Sequence, residues 1–525
     1  MQSGVMVLVL RLSAALVALA AVLPIGYLLI RGFASGPALW EQLARIETLL
    51  ILGRTAALVV GVGLGSMVLA LPLAILTTQT DLPWRRFWAV ATALPLAIPS
   101  YVGALVVVTA FGPRGLLQQW IEPFTGIDRL PEIYGYPGAV LTLTFLTYPY
   151  MLLILRAALL GLDPVLEEAS RSLGSGPWRT FARVTVPQLA PAMGAGWLLV
   201  ALYTLSDFGA VSLLRFEPFT TVIYIQYQSS FDRTLAAGLA LVLSALAVLI
   251  LVMEGALRRR AAYHRVSVGS GRSRRPAKLG RWRWVAFGYC SAVLLLALVL
   301  PLGVLTFWMV RGLLVGEPIK GLWNPAWNSM LAASLAAPAC LVAALPVAVL
   351  AVRSPGRFSA VVERAAYLGY GLPGIVVALS LVFFASRSAP ALYQTGFLLI
   401  FAYVLMFLAQ AVGPIRASML QVRPSLEEAG RSLGRSQGHV LWTVTLPMIG
   451  PGLVGGAALT FLAVMKELPV TLLLAPTGFQ TLATKTWGAS DSGFFARAAA
   501  PALALVLLTA FPMAFLLREN RSVPR

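Results

Sequence analysis

Two acidic residues lie inside apolar stretches of this sequence, and their spacing suggests one shared task. Asp207 lies in LYTLSDFGAVSLL and Glu467 in FLAVMKELPVTLLL, 260 residues further on. Charged groups are costly within apolar segments, so such residues are functional candidates by default. Two carboxylates that meet where similar halves join would attract a cation. The alternatives are that they cap broken helices, or that they pair with Lys466 and Arg215.

The residues around the two acids predict an interrupted helix. Gly209 and Pro469 follow them closely, and these residue types bend or break helices. Further on, Tyr224 and Tyr227 offer hard oxygen atoms of the kind that metal cations bind. The competing interpretation places both tyrosines in the aromatic belt at a membrane surface.

Residues for chemical catalysis are scarce. The chain has two histidines and two cysteines, and Cys290 and Cys340 both lie in apolar segments, in no disulfide or zinc spacing. No G-x-x-x-x-G-K-[ST] motif for binding ATP phosphates occurs. We therefore expect a non-enzymatic protein that binds no cofactor of its own.

A charged segment occurs twice in corresponding places. LEEASRSLG begins at Leu166, and LEEAGRSLG begins at Leu426. The similarity continues to VTVPQLAP and VTLPMIGP, whereas the neighbouring apolar stretches match less well, apart from IPSYVGAL (98–105) and LPGIVVAL (372–379). Apolar positions tolerate substitution, so the retained charged pattern indicates a shared task.

Each copy predicts a short amphipathic helix. In the first copy Asp163 is the expected N-cap, Pro164 the first helical residue and Gly174 the C-terminal exit. Glu167 and Arg171 have the i, i+4 spacing of a helical ion pair. One apolar face is expected from Leu166, Ala169, Ser170 and Leu173. A rigid helix of this kind suits the docking of a cytoplasmic partner. The alternative is an amphipathic helix that lies on lipid.

The composition that surrounds these motifs indicates a membrane protein. Of 525 residues, 59% are hydrophobic and 11% charged. The basic residues that give the chain its net charge of +20 lie between the apolar runs. In that position they indicate membrane topology and not a nucleic-acid surface. Runs long enough to cross a bilayer fall near 5–30, 55–77, 87–111, 137–160, 191–214, 234–257, 284–310, 329–352, 361–385, 394–415, 451–475 and 497–517. The first run is expected to be a retained span and not a signal peptide.

The runs form two groups of six around a basic linker at 258–283. This linker carries ten Lys or Arg residues and no acid, so it is expected in the cytoplasm. An even number of spans on each side then places both termini and both charged loops in the cytoplasm. Asp207 and Glu467, each 16 residues after the proline that opens its span, would lie towards the outer side.

The two loops resemble the EAA loop of ABC importer permeases. They share its Glu-Ala pair, a Gly a few residues on and a later Pro, with Ser170 or Gly430 where many members have a second Ala. The resemblance implies an all-α integral membrane protein of the type I importer fold, with about 12 transmembrane helices in two homologous permease domains. These would be 1–257, with its loop at 162–190, and 284–525, with its loop at 422–450. In that family the loop couples the permease to an ATPase. Carried over, the coupling residues are Glu167, Glu168, Ala169, Arg171, Gly174, Glu427, Glu428, Ala429, Arg431 and Gly434.

Among fused double permeases, the segments around Asp207 and Glu467 most resemble iron(III) importers. This implies a multi-pass protein of the bacterial inner membrane, with transient Fe³⁺ at the two acids. Its expected partners are two copies of an ATPase that holds ATP and Mg²⁺, a periplasmic or lipoprotein substrate-binding protein and the lipid bilayer. One permease copy would suffice. Thiamine or another small solute is the alternative cargo, and an ion-coupled secondary transporter is a more distant alternative class.

Overall fold

The computed structural model describes residues 2–34, 36–162, 165–229, 234–263, 276–316 and 321–519. Within these ranges the regular structure is helical, apart from one isolated parallel bridge between Thr80 and Ala277. The helices of the first half are Gln2–Ala34, Pro37–Leu43, Ile46–Gln79, Arg85–Ala91, Leu94–Ala97 (3-10), Ser100–Phe111, Leu116–Thr125, Tyr136–Leu160, Val165–Ser172, Pro177–Thr180, Phe181–Thr185 (π), Val186–Ser206, Gly209–Leu213, Phe219–Ser229 and Thr234–Tyr263.

The second half repeats the order of the long helices and differs in some of the short ones. Its helices are Gly280–Trp282 (3-10), Arg283–Leu294, Leu295–Val299 (π), Leu300–Leu314, Trp323–Arg353, Arg357–Gly371, Gly374–Ser388, Pro390–Leu392 (3-10), Gly396–Gln421, Pro424–Ser432, Gln437–Val440, Leu441–Thr445 (π), Leu446–Met448, Gly450–Lys466, Pro469–Leu474, Leu482–Asp491 and Phe495–Glu519.

The predicted membrane spans correspond to helices one by one. Among the described residues, nine helices are long and apolar enough to cross a bilayer, and two bent pairs of helices pass the same test together. The shorter apolar helix Phe495–Ala510 takes the place of the last predicted span. The predicted all-α membrane architecture of about 12 helices is therefore confirmed.

Four of the predicted spans are interrupted: the fifth and the eleventh at Asp207 and Glu467, and the third and the ninth earlier in each half. The third is divided between Arg85–Ala91 and Ser100–Phe111, and the ninth bends by 104° between Arg357–Gly371 and Gly374–Ser388. Both interruptions fall at the repeated Ile-Pro and Leu-Pro pairs. The residue before the proline has ψ 121° at Ile98 and ψ 134° at Leu372. Proline disfavours helical backbone in the residue that precedes it, so the chain turns extended there.

The first helix of each half packs on the opposite half. The hydroxyl of Ser380 donates to the carbonyl of Pro24 (2.9 Å), and the hydroxyl of Tyr27 donates to the carbonyl of Phe383 (3.1 Å). In return, the hydroxyl of Tyr289 donates to the carbonyl of Leu69 (3.1 Å). The largest cluster of buried apolar side chains also draws on both halves. The two sequence repeats thus form one packed unit around a shared interface.

Candidate functional site

The first repeated loop forms the helix Val165–Ser172. Its Glu167 side chain is 6% exposed, and the hydroxyl of Thr185 donates to its carboxylate (2.9 Å). Thr185 ends the π-helical turn that follows the loop, so this bond ties the loop helix to the start of the next span. The predicted N-cap Asp163 and first residue Pro164 lie outside the described residues.

Both loop helices end at the glycine that the sequence predicts. Gly174 has φ +81° and Gly434 has φ +79°, in the left-handed region that favours glycine. In the first loop the N–H of Ser175 donates to the carbonyl of Ser170 (3.1 Å), and the second loop repeats this bond at 3.3 Å. These are the bonds of a Schellman C-cap, which stops a helix and fixes the direction of the exit.

The second loop forms the helix Pro424–Ser432 and is anchored by an ion pair. Arg353 donates to the Glu427 carboxylate through Nε (3.1 Å) and through a terminal guanidinium nitrogen (2.8 Å). The same terminal nitrogen donates to the carbonyl of Val422 (3.1 Å), and the hydroxyl of Thr445 donates to the Glu427 carboxylate (3.0 Å). Three donors therefore converge on one oxygen of this carboxylate, Oε1.

The two acids of each copy have different surroundings. Glu167 and Glu427 turn inward, whereas Glu168 and Glu428 are exposed. The predicted ion pair of Glu167 with Arg171 does not form between these two described residues, because the carboxylate faces the body of the protein. The outward side chains of the loops include Glu168, Ala169, Arg171, Leu173, Glu428, Ala429, Arg431 and Leu433.

This outward surface combines charge with apolar side chains. Leu173 is 86% exposed and Leu433 is 82% exposed, one on each loop. Leu166, a second member of the predicted apolar face, is 55% exposed. The predicted docking surface thus presents apolar as well as charged side chains to a partner.

One sequence difference between the loops has a direct packing cause. In the first loop the hydroxyls of Ser170 and Thr180 share a hydrogen bond of 3.0 Å. In the second loop these positions are Gly430 and Val440, and a Cβ atom on Gly430 would lie 2.9 Å from a Val440 methyl group. Each loop therefore closes against the following helix with its own matched pair.

Asp207 and Glu467 lie at helix breaks and line the same cavity. The helix Val186–Ser206 stops at Asp207, and Gly450–Lys466 stops at Glu467, each in extended backbone. This confirms the predicted interruptions. The cavity has a volume of about 230 Å³ and is lined by residues from both halves. Its other polar lining residues include Ser100, Tyr101, Tyr203, Tyr370, Gln410 and Lys466.

Both acids cap the short helices that follow the breaks. The N–H groups of Ala210 (3.0 Å) and Val211 (3.4 Å) donate to the Asp207 Oδ1, and the N–H of Val470 donates to the Glu467 Oε1 (3.2 Å). The capping role is thus real. A contact with a passing cation stays a prediction, and Lys466 lines the same cavity as the two acids.

The alternative in which the two acids pair with Lys466 and Arg215 is not found among the described residues. Lys466 donates instead to the carbonyl of Leu96 in the opposite half (2.9 Å), and Arg215 lies over the ring of Tyr134. Over the described parts of the chain, no basic side chain forms a salt bridge with either acid.

Sequence reasoning missed Tyr101. This side chain is 2% exposed, lines the cavity, and its hydroxyl has no hydrogen-bond partner among the described residues. Its ring lies 3.0 Å from the point that a Cβ atom on Gly209 would occupy, so only glycine leaves room there. The signal was present, because Tyr101 belongs to the repeated segment IPSYVGAL.

The other two predicted tyrosines do not line this cavity. The ring of Tyr224 packs 4.8 Å from that of Phe208, and the ring of Tyr227 packs 6.1 Å from that of Phe383. No cluster of three or more His, Cys, Asp or Glu side chains suited to a metal ion occurs within the described ranges. The acidic oxygen donors at the cavity are the two carboxylates, with phenol groups beside them.

Comparison with known families accounts for both halves. Residues 66–263 and 323–521 each match the family described as the binding-protein-dependent transport system inner membrane component. The family thus matches twice, once around each charged loop, as the internal repeat requires.

Three relatives show how far along the chain the similarity extends. It is 34% identical, over 91% of both chains, to the Fe(3+)-transport system permease protein FbpB 2 of Haemophilus influenzae. It is 25% identical to the ferric transport system permease protein FbpB of Actinobacillus pleuropneumoniae, over 79% of this chain and 63% of that one. The sulfate transport system permease protein CysT of Escherichia coli is 28% identical but covers only 37% of this chain, with 70% of its own length.

Proposed function

The chain belongs to the inner-membrane components of binding-protein-dependent transport systems, and we propose that it is the permease of an ATP-driven importer for iron(III). The observation that carries the proposal is the match to an Fe(3+)-transport permease along 91% of both chains. The sulfate transport relative aligns over little more than a third of the chain.

The chemistry of the central cavity supports a cationic cargo. Fe³⁺ is a hard cation and prefers oxygen ligands, which carboxylates and phenols provide. Asp207 and Glu467 bring two such carboxylates to one cavity, and Tyr101 brings a hydroxyl without a partner. The capping bonds hold both carboxylates in place, so they can meet a cation without rearrangement. So few contacts would bind the cation weakly enough for it to leave the cavity again.

Coupling to ATP would take place at the two charged loops. A separate ATPase subunit, present in two copies with its ATP and Mg²⁺, would dock on the outward faces around Glu168 and Glu428. When the ATPases close on ATP, they would push the loops together and open the cavity towards a docked substrate-binding protein. Hydrolysis would then reset the permease towards the cytoplasm. One copy of this two-half chain would form the pathway.

The orientation follows from the loops and the basic linker. Docking by a cytoplasmic ATPase requires both loops inside the cell, and the positive-inside rule places the linker on that side too. Both termini then lie in the cytoplasm, and the substrate-binding protein approaches from the opposite face.

Uptake of labelled cargo tests the proposal. Cells that lack this protein would be given labelled ferric ion or labelled thiamine, with and without the gene restored. ATP-dependent recovery of iron uptake is the expected result. Recovery of thiamine uptake alone would keep the importer but refute the cargo. Uptake that follows the proton or sodium gradient and does not need ATP would refute the importer itself.

A further inference from the structure

The two halves differ at the last residue of their second span. The segments ALPLAILTTQ (70–79) and ALPVAVLAVR (344–353) correspond and end the helices Ile46–Gln79 and Trp323–Arg353. Gln79 therefore occupies the position that Arg353 has in the second half. A neutral amide thus stands in the first half where the second half has a guanidinium, at the end of an otherwise similar helix.

Arg353 connects three elements of the second half. It ends the long helix Trp323–Arg353, binds Glu427 in the middle of the loop helix, and binds the carbonyl of Val422 before that helix begins. The Arg353 and Glu427 side chains are each only 19% exposed. A charge-assisted contact with two N–H donors in such partial shelter is stronger and more directional than a neutral hydrogen bond.

Gln79 makes no such connection. Its side chain is 9% exposed, and its Nε2 has no hydrogen-bond partner among the described residues. Its main-chain carbonyl instead accepts from the N–H of Ala277 (2.8 Å), a residue of the linker. The end of this helix is therefore held by the linker backbone, whereas the end of its counterpart is held by the loop.

We propose that Arg353 is a positioning residue that makes the second loop helix and the helix Trp323–Arg353 move as one body. Because the helix Trp323–Arg353 packs against Gly396–Gln421 and Gly450–Lys466, a push on the second loop reaches the helix that ends at Glu467. Gln79 provides no equivalent connection in the first half, so the two loops transmit unequally. This inference rests on the proposed function in one respect, which is that the loops receive the ATPase.

A double-mutant cycle on the assembled transporter tests the inference. The variants are Arg353→Gln, which copies the first half, Glu427→Gln and the double variant, with Gln79→Ala as the matched control. Each would be reconstituted with its ATPase and binding protein in liposomes. The measurements are ATPase association, ATP hydrolysis, labelled iron uptake and the thermal unfolding midpoint.

The expected result is a loss of coupling without a loss of docking. Iron transported per ATP should fall about five- to tenfold in both single variants and no further in the double variant, because one shared contact is removed. ATPase association should stay at the level of the unchanged protein. Arg353→Lys keeps the charge but not the forked donor geometry. The iron that it transports per ATP should lie between the values of the unchanged protein and of Arg353→Gln. Gln79→Ala should stay within about twofold of the unchanged protein.

Other outcomes would overturn the inference. Unchanged transport per ATP in Arg353→Gln would remove its positioning role. An equal loss in Gln79→Ala would remove the inequality between the halves, and loss of ATPase association alone would make Arg353 a docking residue. If the unchanged protein itself binds no ATPase, the proposed function fails. If it hydrolyses ATP in response to the binding protein but moves no iron, the cargo is wrong and the cycle can still be read from the stimulated hydrolysis.

Discussion

Neutralising the two cavity acids separates their structural role from their transport role. In Asp207→Asn combined with Glu467→Gln, an amide oxygen can still accept from the N–H groups that the carboxylates cap, so the helix breaks keep their geometry. The two carboxylate charges are lost, while Lys466 stays in the cavity lining. We therefore expect a folded protein that moves cations slowly.

The two effects differ in size. A hydrogen bond to a charged acceptor contributes about 1.5–3 kcal/mol and a neutral one about 0.5–1.5 kcal/mol, so each cap should lose about 1 kcal/mol. A carboxylate about 5 Å from a cation contributes about 3 kcal/mol per unit of cation charge at an effective dielectric constant of about 20. A loss of half of this interaction energy, about 1.5 kcal/mol, corresponds to about a tenfold change in rate. Transport should therefore fall at least tenfold, while the two weakened caps together should lower the free energy of unfolding by about 2 kcal/mol.

The assay is the initial rate of labelled iron uptake by liposomes that contain the whole transporter. The control is Asp207→Ala, which removes the charge and also leaves the N–H groups of Ala210 and Val211 without their acceptor. It should lower both the uptake rate and the thermal unfolding midpoint, whereas the amide variant should lower mainly the uptake rate. Uptake kinetics in the amide variant that equal those of the unchanged protein would refute the reasoning and leave the two acids as helix caps.

Three further predictions concern the loops and the cavity. Glu168→Lys combined with Glu428→Lys should abolish ATPase association in a pull-down while membrane insertion continues, and normal iron uptake by this variant would remove the docking role. Tyr101→Phe removes a hydroxyl without a protein partner, so the unfolding midpoint should hold while iron uptake slows several-fold; unchanged uptake would exclude contact with the cargo. Gly430→Ser should destabilise the second loop by about 1–3 kcal/mol because its Cβ meets a Val440 methyl group. Adding Val440→Thr should recover the thermal unfolding midpoint by recreating the hydroxyl pair of the first loop, and no recovery would contradict this account.

The sequence determined the class of the protein and the position of most of its elements. Apolar runs long enough to cross a bilayer predicted the spans, because a helix in lipid must satisfy its own backbone groups over a fixed thickness. Local backbone chemistry also predicted the glycine ends of both loop helices and the breaks at Asp207 and Glu467. The divided third and ninth spans were missed, although the proline pairs that cause them lie in the repeated segments.

Only the tertiary structure decided which side of each helix faces which neighbour. The pair of glutamates in each loop reads as one charged unit in the sequence, yet Glu167 and Glu427 bind inside the protein while Glu168 and Glu428 face outward. Likewise, nothing along the chain places Arg353 against Glu427 across 74 residues. Spacing along a chain fixes separation and periodicity within one helix, whereas contacts between helices depend on how all of them pack. The sequence therefore determined the elements and their repeat, and the packing decided which charges stay free for a partner.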